Sequence, residues 1–400
     1  MPSKKYNLST PEGFLFSVAS AGIRYKDRND IALIYSVVPS SICGTFTRNR
    51  VKAAPVVLDM KKIRRGIGQA LFANSGNANA CTGTQGYRDA ERICRELASR
   101  LGISDRDVYI SSTGVIGEKL PIERILNSIE NLVKNLGKAT AADVARAIMT
   151  TDRFPKVYSK TIEFGSYGGS ILGICKGAGM ISPKMATMLC FILTDLAVER
   201  ITLKRALKES VKETFNLITV DGDMSTNDTV LMMANGIAGN PLIKEGSKFY
   251  KRFRDGVFEV TDTLARMIAS DGEGATRLII VRVKGAKNTQ EASKVALTIA
   301  KSPLVKTAIY GADANWGRIM AAIGYSSVPV REDRIDIRIN GIEVVKRGIG
   351  RGRDIEASRS ISESNTVEIE VNLHCGKAIE RVYTCDLTEE YIKINAEYRT

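Results

Sequence analysis

The chain is poor in histidine. Its 400 residues include a single one, His374, so any Ser-His-Asp or Cys-His mechanism would have to use that imidazole. It ends an alternating segment, Val371-Asn372-Leu373-His374-Cys375, where a structural role fits better. Acyl-transfer or hydrolytic chemistry must therefore find its base elsewhere. Paired cysteines are also missing. The seven cysteines (43, 81, 94, 175, 190, 375, 385) are odd in number, scattered and without a CxxC pair, which argues against a disulfide framework or a zinc site and for reduced thiols. No run approaches the roughly 18 apolar residues of a membrane span. The start, Met1-Pro2-Ser3-Lys4-Lys5-Tyr6, has no apolar stretch of a secretory signal. A cytoplasmic enzyme that needs no metal and no cofactor is the expectation.

Acidic residues are in deficit: 44 against 58 basic ones, a net charge of +14. The basic residues are spread along the chain, with only short clusters such as Lys61-Lys62-Ile63-Arg64-Arg65. A nucleic-acid-binding protein without activity is one reading of that charge. No interleaving of aromatic and basic residues supports it, and attraction of small anionic substrates or a solvated surface explains the charge more simply.

What the chain does have is a glycine-punctuated segment, Lys176-Gly177-Ala178-Gly179-Met180-Ile181-Ser182-Pro183-Lys184-Met185-Ala186-Thr187, that runs into the apolar stretch Met188–Leu193. Glycine and proline favour a sharp turn before the junction, and the apolar stretch reads as a buried strand over 187–195. A threonine opening a strand is ordinary β-propensity. If the Ala186–Thr187 bond were cut, however, the hydroxyl would sit beside its own α-amine, whose reference pKa of about 7.7–8.0 suits a general base. Threonine activated by an N-terminal amine is an established form of nucleophile.

Elsewhere, strands are expected at 31–38, 56–58, 69–73, 107–111, 157–164, 169–175, 277–283, 304–309, 333–338, 342–346, 366–373 and 378–385. Helices are expected at 86–101, 121–136, 140–149, 202–216, 246–270, 290–302 and 316–324, with a short one near the C-terminus. Strands interleaved with helices on this scale indicate a layered α/β protein. Several turns could carry function. Asn74–Gly83 reads as a strand-to-helix connection or as a substrate-facing helix N-terminus. Thr113-Gly114 after a strand offers an oxyanion hole or merely a turn. Glu273, between two glycines, could meet a ligand cation, although loop residues are mostly solvated. Asp221–Asp228 has the acidic spacing of a calcium loop, but Thr226 and Met232 stand where glycine and glutamate are required, so a loop that supports the sheet is expected.

These blocks carry a resemblance. Asn74–Gly83, Ser112–Gly117, Met149-Thr150-Thr151-Asp152, Lys176–Leu189, Ser270–Gly274, Asn315-Trp316-Gly317-Arg318 and Tyr398-Arg399-Thr400 together resemble the glutamate N-acetyltransferase (ornithine acetyltransferase) family of arginine biosynthesis. The resemblance implies a layered αββα sandwich of the ornithine acetyltransferase and aminopeptidase group with a smaller C-terminal α/β unit, divided at 1–280 and 281–400. It implies self-cleavage between Ala186 and Thr187 into chains 1–186 and 187–400, which would associate as an (αβ)2 assembly. Thr187 would be the nucleophile and Thr113 and Gly114 the oxyanion hole. Thr150, Lys176, Thr187, Glu273, Asn395 and Thr400 would bind N-acetylornithine and glutamate, with acetyl-CoA as a second donor in some members. Arg153, Ser182, Lys184 and Ala314 depart from the family's pattern. The competing assignment is an N-terminal-nucleophile aminopeptidase or amidase.

Overall fold

The computed structural model describes residues 8–182 and 188–397. In chain order the first part comprises β1 (Phe14–Ala19), β2 (Ile31–Phe46), α1 (Ala54–Lys62), β3 (Ile67–Asn74), α2 (Gly83–Leu101), β4 (Val108–Ser112), α3 (Ile122–Lys134) and α4 (Ala141–Ala147). It continues with β5 (Lys156–Phe164), β6 (Tyr167–Lys176), β7 (Leu189–Thr194), α5 (Arg200–Glu213), β8 (Thr229–Ala234) and α6 (Tyr250–Ser270). The strands form one eight-stranded sheet in the order β4-β3-β2-β8-β7-β6-β5, with β1 also paired to β2.

The sixteen-residue β2 makes two layers of that sheet. Ile31–Ser36 pairs with β1, and Ser41–Phe46 pairs with β8. Between Tyr35 and Ser40 the register with β3 shifts, an irregularity of the kind that bends a strand. Alternation of side chains then assigns the faces. Ile31 and Leu33 pack with α2 and α3, while Ala32 and Ile34 enter a core shared with Leu172, Phe191 and Leu231 of the other layer. On that second layer Ile171, Cys190 and Ile192 face α5 and α6. The result is helix, sheet, sheet, helix: the layered sandwich expected from the resemblance.

A second sheet, β12-β11-β10-β13-β9-β14, follows. It is built with β9 (Leu278–Ala286), α7 (Thr289–Lys301), α8 (Pro303–Tyr310), α9 (Trp316–Gly324), β10 (Asp336–Ile339) and β11 (Ile342–Lys346). The remaining elements are β12 (Ile349–Gly350), α10 (Asp354–Ser362), β13 (Thr366–Asn372), β14 (Ala378–Cys385) and α11 (Glu389–Glu397). Val367, Ile369 and Val371 point into its core, whereas Glu368 and Glu370 pair outward with Arg282 and Lys284. The helix α6 joins the two sheets: Leu264 and Ile268 lie in the same core as Tyr383 and Cys385 of β14, and Asp262 accepts from Arg381 at 2.7 Å. No described helix is long and apolar enough to cross a membrane.

Two expected strands are helices. Val56-Val57-Leu58 lies in α1, where Pro55 occupies the first turn, a position that tolerates proline. Leu304–Ile309 lies in α8, where Ser302 caps the Val305 amide and Pro303 opens the helix. In both, the start signal outweighs a short β-branched run.

Candidate active site

The head of β7 organises the site. Every residue of β7 is buried, and it runs parallel to β8, so both strands begin at the same level. The Met188 amide donates to Asp228 Oδ1 at 3.1 Å, and the Thr229 amide donates to the Met188 carbonyl at 3.1 Å. Ala186, Thr187, Lys184 and Thr400 lie outside the described residues. A cavity of about 230 Å³ opens close by. Its wall includes Thr113, Gly114, Thr150, Lys176, Glu273 and Asn395, every other residue that sequence placed in the site.

Thr113 and Gly114 leave the end of β4. The Thr113 amide donates to the Asn74 carbonyl at 2.9 Å, and the turn pairs with Asn77. Gly114 has φ +134°, and a Cβ there would lie 2.3 Å from the Gly76 carbonyl carbon. Only glycine fits both the backbone and the space. Asn227 ties the turn to β8, donating to the Ser112 carbonyl at 2.8 Å and the Ala78 carbonyl at 2.6 Å. The Asn74–Gly83 loop is thus chiefly scaffolding: the Asn74 side chain donates to the Asn77 carbonyl within it, the Asn79 side chain donates to the Gly86 carbonyl in α2, and Ala78 alone of the loop reaches the cavity.

Lys176 ends β6 and donates to Thr150 Oγ1 at 2.8 Å. Beneath it Asp152 accepts from the Gly177 amide at 2.7 Å and from Lys156 at 2.6 Å, and stands 3.8 Å from Lys176 Nζ. Lys156 also donates to Asp271 at 2.6 Å. All three side chains of this Asp152–Lys156–Asp271 network are fully buried. Burial alone would raise the Asp152 carboxyl, but the Lys156 and Lys176 ammonium groups outweigh it and hold the carboxyl well below its ordinary value.

Glu273, also in the cavity wall, follows α6. Its amide donates to the Ala178 carbonyl at 3.0 Å, and its carboxylate accepts from Asn395 of α11 at 2.8 Å. A side chain at Gly179 would collide with that carboxylate, since its Cβ would lie 2.2 Å from the carboxyl carbon. The acidic stretch assigned from sequence to support of the sheet does more. Asp221 lines the same cavity as Glu273, and accepts from the Met180 amide at 2.6 Å and the Ile181 amide at 3.0 Å. Burial pushes its carboxyl up to about 6, against the Asp223 and Met180 amides that favour its charge and with the nearby Asp223 and Glu273 carboxylates adding to the rise. Asp221, Asp223, Asn227 and Tyr391 are site residues that sequence reasoning missed. The spacing of the acids was visible, but its direction in space was not. Among the described residues no cluster of three or more histidine, cysteine or carboxylate side chains could hold a metal.

The model of the ArgJ family matches residues 15–400. This chain belongs to the ArgJ family. Among curated relatives it is 48% identical over 390 residues to the arginine biosynthesis bifunctional protein ArgJ of Geobacter sulfurreducens, covering 97% of this chain and 99% of that one. It is 46% identical over 399 residues to the ArgJ protein of Caldanaerobacter subterraneus subsp. tengcongensis, covering 98% of both chains. A solved ArgJ structure from Bacillus halodurans matches at 47% identity and TM-score 0.51, covering 52% of this chain and 98% of that one. As an ArgJ protein the chain is an enzyme of arginine biosynthesis.

Three of this ArgJ chain's departures from the family pattern have local explanations. Arg153 binds Asp271 through its main-chain amide and its Nε, both at 3.0 Å, and so extends the buried network outward. Ser182 is buried with its hydroxyl 3.5 Å from Lys301 Nζ. The Ala314 amide donates to Ser358 Oγ at 3.0 Å, a bond that proline cannot make.

Proposed function

We propose that the enzyme transfers acetyl from N-acetylornithine to glutamate through an acetyl ester on Thr187, after cutting itself between Ala186 and Thr187. The observation that carries this reading is that groups of opposite charge line one small cavity beside β7. Lys176, Asp221 and Glu273 all lie in its wall, which suits a substrate bearing both a carboxylate and an ammonium. Thr113 and Gly114 line the same space, where the Thr113 hydroxyl and the Gly114 N–H would serve an oxyanion. The solved Bacillus halodurans chain, nearly all of which is matched, spans only half of this one, the length expected of a processed fragment.

The steps balance. The Thr187 hydroxyl adds to the acetyl carbonyl carbon while its proton passes to the α-amine. The carbon–nitrogen bond of the acetamide then breaks, and the α-ammonium returns the proton to the departing ornithine nitrogen. Glutamate's uncharged amine attacks the ester, and the same proton transfers run in reverse. The relatives' name, bifunctional protein, supports acetyl-CoA as a second donor that charges the same threonine. The cut chains 1–186 and 187–400 assemble as (αβ)2, and residues Thr187 and Thr400 complete the substrate site.

Turnover of N-acetylornithine with and without glutamate tests the reading. Acetylglutamate should form in step with ornithine, and ornithine release without an acceptor should be slow. Fast release to free acetate with no acetylglutamate would make the protein an amidase instead.

A further inference from the structure

Asp152 takes no part in the chemistry above and is not in the cavity wall, yet it holds two residues that are, Thr150 and Lys176. Its Oδ2 accepts from the Thr150 amide at 3.1 Å and lies 3.8 Å from Lys176 Nζ. Its Oδ1 accepts from the Gly177 amide at 2.7 Å and from Lys156 at 2.6 Å. One carboxylate thus ties the segment after α4, where Thr150 stands, to the end of β6, where Lys176 stands. The Lys176 side chain is only 3% exposed, and a buried ammonium needs a counter-charge. Asp152 supplies it from beyond hydrogen-bond reach. Among the described residues the one hydrogen bond of Lys176 Nζ goes to Thr150 Oγ1, so an ammonium with three donors keeps the others for a ligand. Asp271, on the far side of Lys156, has different neighbours. It accepts from Lys156 and from Arg153, whose side chain is 54% exposed. The network therefore has one half that meets the site and one that leads to the surface.

We propose that Asp152 is a positioning residue for Lys176, holding the ammonium and Thr150 together in the arrangement that meets the substrate carboxylate. The proposal rests on the reading of Lys176 as the partner of that carboxylate. Asp152 touches no substrate and forms and breaks no covalent bond. Burial pushes its carboxyl up, but the Lys156 and Lys176 ammonium groups outweigh burial, so it stays charged. An asparagine in its place keeps the shape and loses the charge. The Lys176 ammonium is then left without its counter-charge and leaves its place in the wall, and the Thr150 amide loses its charged acceptor. N-acetylornithine and glutamate both carry an α-carboxylate, so both should depend on Asp152 alike.

Asp152→Asn, Asp152→Ser, Lys176→Gln, the double variant of Asp152→Asn with Lys176→Gln, and Asp271→Asn form the test. Each is followed by kcat, by KM for both substrates and by denaturant midpoint. Asp152→Asn should raise KM for N-acetylornithine and glutamate together by about tenfold, the scale of one weakened charge-assisted hydrogen bond, with kcat falling less. In the Lys176→Gln background the same substitution should raise neither KM further, as expected when one residue acts through the other. Asp271→Asn should lower the denaturant midpoint and leave both KM values in place. An unchanged KM in Asp152→Asn would overturn the proposal. So would an equal rise with and without Lys176, or an equal rise from Asp271→Asn. Failure of both Asp152 variants to fold would also overturn it, assigning the residue to the scaffold. A Lys176→Gln enzyme with its KM values unchanged would instead sink the reading of Lys176, so the two failures are distinguishable.

Discussion

Gly114 is a residue whose role can be decided by space alone. Its positive φ and the Gly76 main chain 2.3 Å from any Cβ mean that Gly114→Ala must move the turn proposed to bear the oxyanion donor. Loss of one such donor costs about 10²–10³-fold in kcat. The expected outcome is a drop of that order with KM little changed, measured by steady-state acetyl transfer. Asp221 gives a prediction in pH. Its carboxyl lies at about 6, so it is neutral at pH 5 and charged at pH 7, and binding of the substrate ammonium should tighten as pH rises through that value. Asp221→Asn should abolish this change in KM for N-acetylornithine between pH 5 and 7, and should raise KM at the upper end. At this scale the sequence told much. Thr113, Gly114, Thr150, Lys176, Glu273 and Asn395 do share one cavity. Asp221 escaped because an acidic loop that supports a sheet and one that faces a ligand have the same composition.

Among elements, the Asp152–Lys156–Asp271 network is the main electrostatic tie, joining the start of β5 to the segment after α6. Lys156→Met would leave two carboxylates buried without their cation, a change that costs about 3–5 kcal/mol when one partner of a buried pair is removed. The sign with pH follows from Asp152, whose folded carboxyl lies below its ordinary value. Its stabilising contribution is complete above the unfolded value of about 3.9 and disappears as pH falls through the folded one. The gap in denaturant midpoint between wild type and Lys156→Met should therefore be widest near neutrality and narrow in acid. Periodicity revealed most elements, including α6 with Phe253, Val257, Val260, Leu264 and Ile268 on its buried stripe. It failed at α1 and α8, where runs of three to six residues carry too little pattern to separate strand from helix and the deciding signals were Pro55, Ser302 and Pro303.

On the scale of the whole molecule, layers were legible but their connection was not. A run of alternating residues does not disclose that β2 changes partners midway, because the register shift between Tyr35 and Ser40 is fixed by packing on both sides. We propose the division at residue 280, with β9 (Leu278–Ala286) opening the second sheet, while α6 packs in one core with Tyr383 and Cys385 of that sheet's β14. The assembly of cut chains is likewise proposed from the family likeness. The central claim is that one freed threonine carries the acetyl group, and mass spectrometry of the enzyme quenched during turnover with N-acetylornithine tests it most directly. The account predicts two chains, with one acetyl group on the fragment that begins at residue 187 and none on its Thr187→Ala counterpart. A single uncut chain that turns over, or a fragment that never carries the acetyl group, would contradict it.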